Sequence, residues 1–420
     1  MKIKFPDKWN KYKLEELLSY EQPTQYIVHS TDYNESYTTP VLTAGKSFVI
    51  GYTNETDGIY TKVPVIIFDD FTTDTQYVSF HFKVKSSAMK ILTANPDLAI
   101  PKFLYYIMQI IDCEHSTHKR YWISKYSQID VKIPSLPEQK RIVEKIDELF
   151  SGLDAAESEL QVAKEKLNIF RLTVLDQAFT GKLSTFNRTD DINDLIQKLF
   201  ASQKDKKHFS ILEKMPLPNL PEDWCWICVG DISTGVEYGS SQKSLPKGEI
   251  PVIRMGNIQE GKIDYNDLVY SSDAVEIAKY MLHSGDVLFN RTNSPELVGK
   301  TGIYLGEQPA IFAGYLIRLN HIQKMVDSKY LNYFLNSNIA VRYGNKVKTD
   351  GVNQSNINGT KLCSYPFPFC SLEKQKQVVE DIEQYLALYE RIYGTVFSQL
   401  EKTKALRQGI LKQAFEGGLV

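Results

Sequence analysis

The chain has 420 residues, enough for two to three domains at roughly 150 residues each. Hydrophobic residues make up 42% and charged residues 24%, an ordinary balance for a globular protein with a sizeable core. The 49 basic and 51 acidic residues leave a formal charge of −2, which excludes a strongly basic chain that coats nucleic acid without selectivity. No apolar run reaches the roughly 18 residues of a membrane helix. The opening Met1-Lys2-Ile3-Lys4-Phe5-Pro6 lacks the apolar core of a signal peptide. Five cysteines, an odd number, do not suggest a disulfide framework. A cytoplasmic protein is the expectation.

Residues 1–134 read as an α+β region. Pro64–Phe68 and Tyr77–Phe82 are β-branched and aromatic runs of strand type. Asn54 and Gly58 mark turns, and Phe103–Ile111 reads as a short helix. From Leu136 to Phe179, 44 residues read as one helix, about 66 Å at roughly 1.5 Å per residue. Ile146, Leu149, Leu153, Ala156, Leu160, Ala163, Leu167, Phe170 and Val174 alternate spacings of three and four, a coiled-coil seam. Ser135 with Glu138 predicts a capping box, Pro137 suits the first turn, and Gly181 suits the stop.

Residues 185–216 read as a polar linker with one helical stretch, Ile192–Ala201. Residues 217–370 form a second α+β region, with Asp286–Phe289 a strand, Tyr330–Leu335 a short helix, and Gly256-Asn257 and Gly351-Val352-Asn353 turns. A second long helix follows over residues 371–420. Its seam runs through Ile382, Leu386, Tyr389, Tyr393, Val396 and Leu400, is interrupted at Thr403, and resumes at Leu406 and Ile410. Gly152 and Gly394 sit inside the helices, where either could mark a bend.

The chain repeats itself. Ser135–Leu183 aligns without a gap on Ser371–Leu419, and 16 of the 49 positions are identical. Pro6-Asp7-Lys8-Trp9 pairs more faintly with Pro221-Glu222-Asp223-Trp224, and Ile100–Tyr106 with Asp327–Tyr333. Two helices of this length, each with one apolar stripe, find their economical partner in each other. An antiparallel pair then gives pseudo-twofold symmetry.

Neither variable region is globally basic. Residues 1–134 hold 15 basic and 15 acidic residues, and residues 217–370 hold 14 and 15. Two local patches precede the two helices. The first contains His115, His118, Lys119, Arg120, Tyr121, Trp122 and Lys125; the second contains Arg342, Tyr343, Lys346, Lys348 and Gln354. Lys and Arg take phosphates, and Arg, Asn and Gln pair bidentately with base edges. Candidate DNA contacts in the first region are Lys46, Ser47, Tyr52, Asn54, Arg120 and Lys125. In the second they are Ser240, Ser241, Gln242, Lys243, Arg254, Asn257, Arg291, Asn293, Lys346, Lys348 and Gln354.

Catalytic signals are absent or only mimicked. Gly299-Lys300-Thr301 and Gly45-Lys46-Ser47 lack the earlier glycine of a phosphate loop. Asn293-Ser294-Pro295-Glu296 resembles an amino-methyltransferase motif only loosely. Cys225 and Cys228, with Cys363 and Cys370, have the wrong second spacing for a zinc ribbon and lie in a strand-like run.

The openings Leu136, Gln139, Ile142, Val143, Ile146 and Leu372, Gln375, Val378, Val379, Ile382, with the closings Gln177-Ala178-Phe179, Gly181, Leu183 and Gln413-Ala414-Phe415, Gly417, Leu419, complete a recognisable plan. Over the whole chain it resembles the specificity subunit of type I restriction–modification systems. The resemblance implies two globular α+β target recognition domains, residues 1–134 and 217–370, separated by two long antiparallel helices, 135–184 and 371–420, that form a coiled coil. Each domain would read one half of a split double-stranded DNA target, with the helices as spacer ruler. The helices would dock two methyltransferase subunits, and motor-nuclease subunits would complete the complex. S-adenosylmethionine, ATP and Mg are expected in those partners and no cofactor or metal in this chain, a non-catalytic subunit. The alternative is a duplicated coiled-coil scaffold that binds proteins and no DNA.

Overall fold

The computed structural model describes residues 3–43, 48–111, 121–186, 190–201, 209–211 and 215–420. They group into two compact units: Met1–Val162 with Val396–Val420, and Ala163–Thr395. Each long helix, Leu136–Ala178 and Leu372–Phe415, therefore contributes one end to each unit.

In the first unit an antiparallel sheet runs in the order Leu18–Glu21, Met89–Ala94, Val65–Asp69, Thr75–Val78. Its strand Val65-Ile66-Ile67-Phe68 is buried throughout, because both faces are covered. Ile66 and Phe68 pack with Phe103, Leu104 and Ile107 of the helix Pro101–Met108. Val65 and Ile67 pack with Leu42, Tyr60 and Phe82 on the other side. That double cover explains an unbroken apolar run in a strand that would otherwise alternate. The strand expected over Tyr77–Phe82 ends at Val78. Phe82 returns to the backbone of Tyr60 instead, and Phe80 is exposed.

In the second unit a six-stranded sheet runs Ser233–Tyr238, Leu316–His321, Asp286–Asn290, Thr301–Tyr304, Lys262–Ile263, Ile258–Gln259. Val287 and Phe289 face a core shared with Tyr330, Leu331 and Phe334 of the helix Ser328–Leu335. Leu288 faces a second cluster with Ile253, Phe312 and Leu316. The helix Ile192–Ala201 occupies its expected span.

The repeat builds the same frame twice. Asn10–Lys13 pairs with Asp130–Ile133 in one unit, and Cys225–Cys228 pairs with Pro366–Phe369 in the other. Each ribbon leads into a long helix whose fourth residue is a fully buried glutamine. Gln139 Nε2 donates to the carbonyls of Leu98 and Pro134, and its Oε1 accepts from the Ile100 N–H. Gln375 does the same with Met325, Cys370 and Asp327. Lys102 and Tyr106 bond Asp147; Lys329 bonds the equivalent Glu383 at 2.7 Å. Trp9 meets Phe103, which meets Phe415; Trp224 meets Tyr330, which meets Phe179.

The helix stops are also equivalent. Gly181 and Gly417 have φ of 68° and 80°, a left-handed cap in which the next N–H returns to the carbonyl of Gln177 or Gln413. A Cβ on Gly181 would lie 2.3 Å from Cγ of Pro221, and one on Gly417 2.9 Å from Cγ of Pro6. Gly181→Ala combines left-handed strain with overpacking, so a loss of about 2–4 kcal/mol is expected in chemical denaturation.

Within each unit the helix segments run antiparallel. In the first, Asp154 and Glu157 bond Arg407 while Ile142, Val143 and Ile146 share a core with Leu411, Ala414 and Phe415. In the second, Asn168 bonds Tyr389 and Phe170 meets Tyr385. The seam residues of the first helix face inward except Ala156, which is exposed. The second seam departs from expectation. Leu406 is 54% exposed, and the three–four rhythm continues through buried Thr403 and half-buried Arg407 to Ile410. Thr403 tolerates this place because its hydroxyl donates to the Gln399 carbonyl. Arg407 reaches the two carboxylates opposite. Both helices continue through Gly152 and Gly394.

One frame element is inverted rather than repeated. Glu138 accepts from Trp9 Nε1 at 3.3 Å and from Lys8 at 3.1 Å, instead of closing a capping box. At the equivalent place Lys374 pairs with Asp223, and with Asp190 at 3.2 Å. The ion pair is present in both halves with opposite polarity.

Candidate nucleic-acid interface

In the first unit Lys46, Ser47 and Arg120 lie outside the described residues, as do His115, His118 and Lys119. Tyr52 is exposed on the strand Val49–Thr53, and Asn54 follows it into solvent. Lys125 is exposed before the turn Tyr126–Gln128. The segment around Lys125 is tied down on both sides. Gln128 accepts from Lys13 Nζ at 2.8 Å, and the N–H of Trp122 donates to buried Asp70 at 2.9 Å. Two other lysines of this unit are unavailable to phosphates. Lys83 is fully buried against Glu55 at 2.7 Å, and Lys90 against Asp70 at 3.3 Å. His29, Glu55 and Asp57 bring donor atoms within 4.8 Å. Glu55 is already held there by Lys83 and by the N–H groups of His29 and Ser30.

In the second unit the candidates separate into three groups. Asn257 is buried, and its side chain bonds the carbonyls of Asp264 and Asn266 and the N–H of Arg254. Arg254 pairs with Asp267 at 3.1 Å. These two brace a turn. Ser240 is buried, bonded to Glu276, and accepts from the Gln242 N–H. Ser241, Gln242 and Lys243 continue from it into solvent.

The third group converges. Thr292–Asn293, Ser355–Asn356 and Thr349–Asp350 form one small sheet. It joins Arg291 and Asn293 to a hairpin that carries Lys348 at its root and Gln354 near its tip. Asn356 donates to Thr292 at 2.7 Å, and Lys348 Nζ donates to the Pro295 carbonyl at 3.1 Å. Lys346 is exposed on the helix Asn338–Val347.

Three residues beside this group were not candidates from sequence. Tyr238 lies under the Arg291 guanidinium, 4.8 Å from its ring centre. Tyr315 is 53% exposed, and Val352 at the hairpin tip is 100% exposed. A two-stranded ribbon with cation, amides and an apolar tip has the dimensions and donors that enter a major groove.

The cysteines do other work. Cys225 and Cys228 lie in the ribbon strand, where burial pushes their thiols up to about 11 and about 12. Neither is poised as a thiolate. Among the described residues no helix is long and apolar enough to cross a membrane.

The repeated frame has counterparts among known proteins. A family model described as the type I restriction modification DNA specificity domain matches residues 6–164 and again 221–401. Each match begins at a Pro-x-x-Trp turn and ends within a long helix. The chain is 31% identical over 403 residues to the type I restriction enzyme EcoR124I/EcoR124II specificity subunit of Escherichia coli, covering 90% of this chain and 87% of the relative. It is 28% identical over 302 residues to the EcoKI specificity subunit of Escherichia coli strain K12, covering 70% of this chain and 59% of that one. A solved chain, from work on complex assembly and conformational transition of the type I R-M system, aligns with 99% of this chain and 100% of its own length. Its TM-score is 0.65 at 16% identity, a likeness of fold. Two family matches over two copies of one frame make this chain a member of the type I restriction–modification DNA specificity family.

Proposed function

We propose that this chain is the sequence-reading subunit of a type I restriction–modification complex, in which each variable region reads one half of a bipartite double-stranded DNA target. The observation that carries this reading is the duplication itself. One frame of buried glutamine, ion pair, aromatic stack and glycine stop is built twice, and it holds two different polar surfaces. A near-neutral net charge suits a reader whose partners supply much of the phosphate contact.

The helices serve as protein-docking surfaces. Phe397 and Leu406 are exposed in the first unit, and Ile169, Leu172 and Ile392 in the second. Exposed apolar rows of this kind mark interaction sites, here for two methyltransferase subunits and for motor-nuclease subunits. Methyl transfer from S-adenosylmethionine and ATP-driven, Mg-dependent cleavage belong to those partners. This chain contributes sequence choice.

Binding-site selection from randomised duplexes, with the chain assembled with its methyltransferase subunits, tests the reading. Two short fixed sequences separated by an unread spacer are expected. A single uninterrupted site, or none, would overturn it. The helices set the spacer. Inserting one heptad into both, about 10 Å of rise, is expected to lengthen the preferred spacer by about three base pairs. The same selection measures it.

A further inference from the structure

We infer that Arg291, stacked on Tyr238, is a base-reading residue of the second recognition domain and contacts a guanine in the major groove. The inference rests on the DNA-reading function proposed above and assigns one residue within it.

The backbone of Arg291 is held on both sides. Its N–H donates to the Tyr315 carbonyl at 3.0 Å, and its own carbonyl accepts from the Ile357 N–H at 2.9 Å. The side chain is half-buried with its guanidinium 4.8 Å from the Tyr238 ring centre. Tyr238 is fixed in turn, since its hydroxyl accepts from the Gly359 N–H at 2.9 Å.

Among the described residues no carboxylate pairs with this guanidinium. Nε is buried without a partner, and Nη1 makes one long bond, 3.5 Å, to the Gly314 carbonyl. Among the described residues the other half-buried and buried arginines of the two variable regions have counter-charges: Arg318 has Glu237 and Asp286, and Arg254, whose Nε is likewise unpartnered, has Asp267. A partly desolvated charge with spare donors and no counter-charge is costly to keep. An aromatic platform that holds it in one orientation points to a planar acceptor pair. Guanine O6 and N7 are such a pair, and bidentate arginine is the commonest specific contact to them. The surroundings agree. The hairpin tip with Val352 and Gln354 projects on the same small sheet that Arg291 leads into.

The test is binding-site selection with wild type, Arg291→Ala, Arg291→Lys and Tyr238→Ala, each assembled with the methyltransferase subunits. Arg291→Ala is expected to relax one guanine position in one half-site by ten- to a hundred-fold and to leave the other half-site unchanged. Arg291→Lys is expected to hold overall affinity within about threefold while losing that selectivity, because an ammonium cannot match the paired acceptors. Tyr238→Ala is expected to weaken the same position only. An unchanged site for Arg291→Ala, or a uniform loss over all sequences with the salt slope reduced by about one, overturns the inference; the second result marks a phosphate contact. Equal relaxation of both half-sites overturns it too. A wild type that selects no sequence defeats the DNA-reading function itself, a result separable from any of these.

Discussion

Lys374→Glu is expected to lower the thermal stability of the second unit steeply, and Asp223→Lys made with it is expected to restore most of the loss. Lys374 is 5% exposed and sits in the first turn of a long helix, where the helix dipole disfavours a cation. Asp223 and Asp190 compensate, and the Phe186 ring lies 5.5 Å from the ammonium. Glutamate there would place a third carboxylate beside two. Breaking a buried pair in this way costs about 3–5 kcal/mol. The double variant rebuilds the arrangement that the first half uses naturally, glutamate on the helix and lysine on the turn. Glu138→Lys is the control. Its partner Lys8 is largely exposed, so a loss near 1 kcal/mol or below is expected from the ion pair. Thermal melts of the three variants against wild type decide it; a double variant no more stable than Lys374→Glu would mean that the two charges are not coupled.

The second large effect lies at Asp70. Its carboxylate accepts from the Trp122 N–H at 2.9 Å and pairs with Lys90 at 3.3 Å, and both side chains are buried. Asp70→Ala strands the Lys90 ammonium in the core and the Trp122 N–H in the segment before Lys125. A loss of about 3–5 kcal/mol is expected. Asp70→Asn with Lys90→Met removes both charges and keeps an acceptor for Trp122, so that variant is expected to recover at least half of the loss. Denaturant midpoints of the first unit measure both.

The long helices were legible because three–four spacing held over four heptads, Ile146 to Val174, has no other reading. Their repeat was legible because identities survive at Gln139/Gln375 and Phe179/Phe415, which the structure places in hydrogen-bonded and aromatic cores. The inverted ion pair was not, since an aligned Glu138 and Lys374 count only as a mismatch. Leu406 misled for a similar reason: hydropathy favoured it over Thr403, whose hydroxyl is satisfied within its own helix, and Arg407, whose guanidinium finds its partners across the helix pair. The candidate reading surface was least legible. Polar type selected Asn257 and Ser240, whose side chains are spent inside loops. Tyr315 and Val352 escaped because loops have no period from which exposure can be inferred, and Tyr238 because an aromatic at a strand end reads as core.

The cores are closed by residues far apart in the chain, and this has a consequence for synthesis. Phe415, Ala414 and Leu411 complete the core of the unit that begins at the N-terminus. On a ribosome adding about 5–20 residues per second, that unit waits roughly 12–50 s after Val162 for its last pieces. Until then Phe103 stands without the Phe415 ring. Translation that stops before Leu411 would leave the earlier-made unit with an open core and an address for chaperones and proteases.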